Sequence, residues 1–271
     1  MKTAKTSNDP FYIDKQIKKQ LLKGQEAIRI AGQDRIYLIT GKEGAGKSLL
    51  AIQLAYFVDN NLSLDDITMT ADDFFDKVRT TTKKVVIGDE IFAGLSSKGA
   101  LTKENKRLVK LLIECRQRGL TIFLCIPSIF LLEKYVAIFR SHALFNVQIS
   151  RRSYKNRFYK VYNYMNKKIL FMAGHKYMSY SKPVLWKKHR FYGKFPPTIK
   201  KEDYENKKAR AFKEIKGKEY NEDTKVMKQR DLIITDSKET NVYISKLFND
   251  HKVPMTPQSV GRIRKNTRKR T

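Results

Sequence analysis

Through its first 150 residues the chain alternates short apolar runs with longer stretches in which apolar positions recur every three or four residues. The runs are Arg35 to Ile39, Val85 to Gly88, Leu120 to Ile126 and Ala143 to Ile149. Such runs predict strands buried on both faces, as in a parallel sheet. Between them, Ile13, Ile17, Leu21 and Leu22 predict an amphipathic helix over 11–31. Leu49 to Val58 predicts another, stopped at Asn60-Asn61. Asp65 to Met69 reads as a short strand, and Ala71 to Val78 as a helix with Thr70 at its N-cap. Residues 91–104, rich in Gly, Ser and Lys, are expected to form a loop. A helix should follow over 103–118, with Leu108, Leu111, Leu112 and Cys115 on its apolar side and Gly119 at its end, and a further helix over 129–139. This strand and helix alternation predicts an α/β fold with a mostly parallel sheet covered on both faces.

From Arg151 onward the pattern changes. Two runs, 157–164 rich in Tyr and Phe and 168–173 apolar, flank Asn166 and predict a β-hairpin at the sheet edge. An aromatic and basic segment, 187–197, ends at Pro196-Pro197, a charged helix is expected over 202–218, and 217–224 reads as a linker. Val242, Ile244, Leu247 and Phe248 predict a helix, residues 249–252 a turn, and Thr256-Pro257 the start of a second helix.

The loop between the first buried run and the next helix carries the chemistry. Gly41-Lys42-Glu43-Gly44-Ala45-Gly46-Lys47-Ser48, followed by Leu49, matches G-x-x-x-x-G-K-S in the strand-to-helix setting that this motif requires. Glycines let the backbone wrap around a polyphosphate with its N–H groups turned inward, and the following helix offers its positive end. All nine residues, 41 to 49, are candidate nucleotide contacts. Lys47 is expected to reach the β- and γ-phosphates, and Ser48 to hold Mg2+. Asp89, at the tip of a later strand, is the second candidate metal ligand. Glu90 beside it is the candidate base that orients the attacking water. ATP and Mg2+ are the expected cofactors. The layout is then an N-terminal helix (1–34), a P-loop ATPase domain with a β-hairpin edge (35–180), a basic helical extension and linker (181–222) and a small helical C-terminal module (223–271).

Three more candidates are less determined. Arg116 and Arg118 end the helix before the next strand. They either project toward a nucleotide held by a neighbouring subunit or form an exposed basic helix end that suits the helix dipole. Arg140 is a third candidate for the same task. Ser128, just past a strand tip, stands where a polar γ-phosphate sensor would, and ordinary loop use is the alternative. His142, His175, His189 and His251 are scattered and form no catalytic set.

The succession Gly41 to Ser48, Val85 to Glu90 and Leu108 to Leu124 resembles the additional-strand P-loop ATPases of the FtsK and HerA class, and is also similar to the ATPase domain of zonula occludens toxin-like proteins. The likeness covers residues 35–149. It implies an oligomer, as a ring, that couples ATP hydrolysis to moving or packaging DNA. Where that class usually has a glutamine after the fourth strand, this chain has Ile126-Pro127-Ser128.

Charge adds a partner. The net charge is +29, and residues 151–271 hold 33 Lys+Arg against 11 Asp+Glu. An excess concentrated in one half points to a polyanion, and double-stranded DNA is the expected one. The two C-terminal helices read either as a helix-turn-helix or as a two-helix cap with a basic tail. In the first case Gln258, Ser259, Arg262, Arg264 and Lys265 meet the DNA and Arg268, Lys269 and Arg270 contact phosphates. Cys115 and Cys125 are the only cysteines and fall in no zinc or disulfide pattern, which fits a reducing cytoplasm, the host's if the chain is viral. Met1 to Pro10 has no secretory pattern, and the most apolar stretch, 120–132, is broken by Pro127 and is too short to span a bilayer. Three functions remain open: a DNA translocase or packaging motor, a nucleotide-switched DNA-binding protein, and an assembly or export ATPase.

Overall fold

The computed structural model describes residues 11–92, 98–150, 156–214, 234, 237, 239–250 and 255–268. The expected linker at 217–224, the turn residues 251–252 and Lys269 and Arg270 lie outside the described residues. By contacts the chain divides into two compact units, Met1–Ala211 and Phe212–Thr271.

The sheet of the first unit is built from β1 (Phe11–Tyr12), β2 (Arg35–Gly41), β3 (Ile67–Thr68), β4 (Val85–Asp89), β5 (Thr121–Cys125), β6 (Ala143–Ile149), β7 (Arg157–Tyr162) and β8 (His189–Gly193). Their spatial order is β1-β8-β7-β6-β2-β5-β4-β3. The five strands from β6 to β3 are parallel, and β7, β8 and β1 extend the sheet antiparallel beyond β6. Thus β5 lies between β2, which leads into the phosphate loop, and β4, which ends at the carboxylates. Cys125 pairs with Ile39 on one side and Asp89 on the other, so the two strand tips end level at one edge.

Alternation along the central strands divides the core. Ile36, Leu38, Ile122, Leu124 and Leu144 face one side, and Tyr37, Ile39, Phe123, Cys125 and Phe145 the other. The first face is covered by α3 (Ala71–Thr80) and α4 (Lys98–Glu114), and by α5 (Tyr164–Gly174). The second is covered by α1 (Lys15–Ala31) and α2 (Lys47–Val58), and by a helix over 201–214, α6. Caps follow sequence: Thr70 Oγ1 accepts from Asp73 N at 3.2 Å, and Gly119 closes its turn in the left-handed region. Leu22, expected on the buried side of α1, is exposed, and the buried residues of that helix are Ile17, Leu21 and Gly24.

Three expected elements differ. α4 begins at Lys98, so the loop expected over 91–104 is helical from there, and residues 93–97 lie outside the described part. The helix expected over 129–139 is instead a 3-10 turn (Ile129–Leu131) and a π-helix (Tyr135–Arg140). Asn105, reaching from α4, donates to Leu131 O and accepts from Glu133 N, holding the chain between the two in a non-helical path. Most plainly, there is no hairpin at Asn166. Residues 168–173 belong to α5, capped by Asn163, whose side chain accepts from Asn166 N at 2.9 Å. Lys167, Leu170, Phe171 and Gly174 are buried at helical spacing, and Lys168, Leu170, Met172 and Ala173 are strong helix formers, so spacing and propensity both favour the helix. β7 pairs with β6 and β8 instead.

Lys167 is fully buried, its ammonium donating to Ala137 O (3.3 Å), Ile138 O (3.2 Å) and Ser141 Oγ (2.5 Å). Burial pushes its pKa down to about 7 from an ordinary 10.5. Between these values the unfolded chain binds more protons than the folded one, so stability gains as pH rises, by at most about 1.4 kcal/mol per pH unit. Urea unfolding of the parent and Lys167→Met from pH 7 to 10 is expected to show the parent gaining on the variant with rising pH. A difference that stays flat would remove this role.

Candidate active site

The phosphate loop leaves β2 at Gly41 and enters α2 at Lys47, with Gly46 as N-cap. Two glycines have no substitute. At Gly41, with φ of 148°, a Cβ would stand 2.4 Å from Val147 O; at Gly46, with φ of 98°, it would meet the Phe191 ring at 2.9 Å and Arg157 Nη1 at 3.0 Å. Lys47 folds back over the loop, donating to Gly41 O at 3.0 Å and Lys42 O at 3.4 Å. Lys42, Glu43 and Gly44 are exposed, Ala45 is buried, and Gly46, Lys47, Ser48 and Leu49 lie between.

One bond joins the loop to the carboxylate strand: Ser48 Oγ donates to Asp89 Oδ1 at 2.9 Å. Asp89 is 1% exposed, and its other oxygen accepts from Tyr204 of α6 at 2.5 Å. Burial raises the Asp89 pKa against the opposing pull of Tyr204, Lys208 and Ser48, and the neighbouring charge of Glu90 adds to the rise. Glu90 has a φ of 58°, a left-handed conformation that a residue with a Cβ seldom adopts. Its Oε1 accepts from Lys208 Nζ at 2.8 Å. Burial works against the charge on Lys208, yet the bond to Glu90 and the two carboxylate charges outweigh it and raise its pKa.

This arrangement fits a nucleotide polyphosphate and a divalent cation. The loop is a cradle in which Gly41 and Gly46 leave no room for side chains, opening at the N-terminus of a 12-residue helix. Beside it stand a hydroxyl and one buried carboxylate, enough for Mg2+, which binds through one or two protein oxygens together with phosphate oxygens. A cavity of about 710 Å3 lined by Lys23, Arg35, Tyr37 and Trp186 lies elsewhere, between α1 and the opposite edge of the sheet, and holds no comparable pairing of cradle and carboxylate.

The other expected residues fall in different places. Ser128 is on the same edge as the loop, past β5; its Oγ accepts from Phe130 N at 3.3 Å and lies 3.5 Å from the Tyr180 hydroxyl. Arg116 and Arg118 stand before β5, on the opposite edge. Arg116 is exposed. Arg118 departs from the expected projecting role: its guanidinium donates to Thr81 O at 2.6 Å and to Arg79 O, bracing the end of α3. Arg118 stays exposed like Arg116, whereas Arg140 is internal, donating to Leu112 O and paired with buried Asp34. His142 is structural, its Nδ1 accepting from Ile36 N at 3.1 Å, while burial and three nearby cations push its pKa down to about 4.

Sequence reasoning missed Tyr204, Lys208 and Arg157. The 204, 207, 208, 211 spacing marks one face of a charged helix, but nothing local ties that face to Asp89 and Glu90. Arg157 opens β7, and only its pairing with Ile149 at the end of β6 brings it level with the loop.

In the second unit, α7 (Asn241–Asp250) and α8 (Pro257–Arg268) enclose a small core of Ile234, Ile244, Met255 and Val260. Val242 and Leu247 are exposed. Thr256 caps α8 through Ser259 N at 3.2 Å. Gln258, Ser259, Arg262 and Lys265 are exposed on α8. Arg264 is not: its guanidinium is taken up by Ile234 O, Asn241 Oδ1, Ser237 O and Glu239 O, which makes it a brace and corrects its expected place among the DNA contacts. Arg268 is the last residue of α8.

Fold and site together define a P-loop nucleoside-triphosphatase: a parallel sheet, the glycine cradle with Lys47 and Ser48, and the bonded carboxylate on a strand one removed. Residues 23–167, just over half of the chain, match Novel STAND NTPase 3, and the chain belongs to that family. Among solved structures it is similar to a KaiC-like protein, PH0186, from the hyperthermophilic archaeon Pyrococcus horikoshii OT3, with 16% identity, 49% of this chain and 79% of that one covered, and a TM-score of 0.36. No curated protein matched the chain.

Because its Cβ would collide with backbone, Gly41→Ala is expected to cost about 2 kcal/mol or more. Thermal unfolding checks this, and an unchanged midpoint would mean that the cradle is not constrained at Gly41.

Proposed function

We propose that the protein is a Mg2+-dependent ATPase that works on double-stranded DNA as an oligomer, translocating or packaging it. The observation that carries the ATPase part is the Ser48 to Asp89 bond, which joins cradle and carboxylate with Glu90 as the next residue. Lys47 and the loop N–H groups would bind the phosphates, Ser48 and Asp89 would hold Mg2+, and Glu90 would orient the attacking water. A bound Mg2+ would supply charge neutralisation on the phosphates. Arg157, beside Gly46, adds a second cation facing the phosphates. The DNA part is supported by the C-terminal charge and by Gln258, Ser259, Arg262 and Lys265 on one exposed helix face. Motor action and the ring rest on the resemblance to FtsK and HerA ATPases, which the strand between β2 and β4 supports. Among the described residues no helix is long and apolar enough to cross a membrane.

A second reading, a nucleotide-switched DNA-binding protein, is favoured by the engagement of Glu90 with Lys208. Long duplexes of unrelated sequence should stimulate a motor, and one short specific site should stimulate a switch.

With a fluorescent ATP analogue, Lys47→Ala is expected to abolish binding. Glu90→Gln should retain binding and lose turnover by about 10²- to 10⁴-fold; full turnover would remove Glu90 from its role. Deleting residues 223–271 should weaken duplex binding and its salt dependence while basal hydrolysis persists. Unchanged affinity would contradict the C-terminal assignment.

A further inference from the structure

The helix over 201–214 places Tyr204, Lys207, Lys208 and Ala211 on one face, at i, i+3, i+4 and i+7. Two of these side chains reach the nucleotide edge, and a third reaches the turn before β3. Tyr204 donates to Asp89 Oδ2 at 2.5 Å, Lys208 to Glu90 Oε1 at 2.8 Å and Lys207 to Leu64 O at 2.9 Å. The Tyr204 ring is buried and packs on Phe195, with centroids 5.4 Å apart. Both adjacent carboxylates are therefore engaged by one helix that lies more than 100 residues later in the chain.

Electrostatics gives this contact a consequence. Two neighbouring carboxylates at one strand tip repel and need compensation from a cation and from donors. Here Lys208 supplies the charge and Tyr204 a donor. A metal held by Ser48 and Asp89, with a water oriented by Glu90, would draw on the same two carboxyl groups, so nucleotide and α6 compete for them. Ser48 is different, because its hydroxyl can donate to Asp89 while its oxygen lone pairs stay available.

We propose that α6 is a latch on the nucleotide site, with Tyr204 and Lys208 as positioning residues that hold Asp89 and Glu90 at rest until the helix is drawn away. The latch rests on the reading of Gly41–Ser48, Asp89 and Glu90 as the nucleotide site.

Amide hydrogen exchange on the full chain tests it without any substitution. Saturating Mg2+ and a non-hydrolysable ATP analogue are expected to speed exchange in peptides covering 201–214 by about fivefold or more. The Tyr204→Phe/Lys208→Met variant should show this fast exchange without nucleotide, bind the fluorescent analogue about five- to tenfold more tightly and hydrolyse ATP faster than the parent. Lys208→Arg, which keeps the ion pair, should behave as the parent. Bound analogue with exchange unchanged or slowed over 201–214 would overturn the latch. So would a double variant that binds no more tightly than the parent. A parent that binds no nucleotide at all would overturn the site reading itself, and the latch with it.

Discussion

Cys125 pairs with Ile39 on one side and Asp89 on the other, and the chemistry of the first unit follows from that register. It brings the end of β2 and the end of β4 level across a single intervening strand, close enough for Ser48 to donate to Asp89. A slip of one residue would turn Asp89 to the opposite face of the sheet. The register is held by unbroken burial: all of Val85–Asp89 and Thr121–Cys125 is buried, and so are Ile36 to Thr40 of β2. In such strands every shift exchanges apolar contacts on both faces at once.

What the core holds in place, the later part of the chain compensates. β7 and β8 bring Arg157 and Phe191 against Gly46, and α6 brings a phenol and an ammonium to two adjacent carboxylates. The first unit is thus a P-loop sheet whose loop and carboxylates are contacted by segments that the phosphate loop does not specify. Basic charge serves two different tasks along the chain. Lys208, Arg118, Arg140 and Arg264 are bound to internal acceptors, whereas Arg262 and Lys265 stand exposed on α8.

The parallel core was legible because its strands are short continuous apolar runs and its helices carry caps such as Thr70 and Gly119. The loop and the Asp89-Glu90 pair were legible because their chemistry is local and spaced by motif. Legibility ended where the period was read wrongly or where contacts are long-range. Residues 168–173 read as a strand are helical: Lys168, Leu170, Met172 and Ala173 favour a helix, and Lys167, Leu170, Phe171 and Gly174 are buried at helical spacing. Arg264 looked like a DNA contact because charge alone does not reveal four carbonyl and amide acceptors gathered around it. Tyr204 and Lys208 lie more than 100 residues from the carboxylates they touch, and no local pattern joins the two.

A structure determined with Mg2+ and a non-hydrolysable ATP analogue tests the central claim most directly. The triphosphate is expected within the Gly41–Ser48 loop, with the metal between Ser48 and Asp89 and Tyr204 released from Asp89. Nucleotide lodged instead in the cavity lined by Lys23, Arg35 and Trp186, with the loop empty, would contradict it.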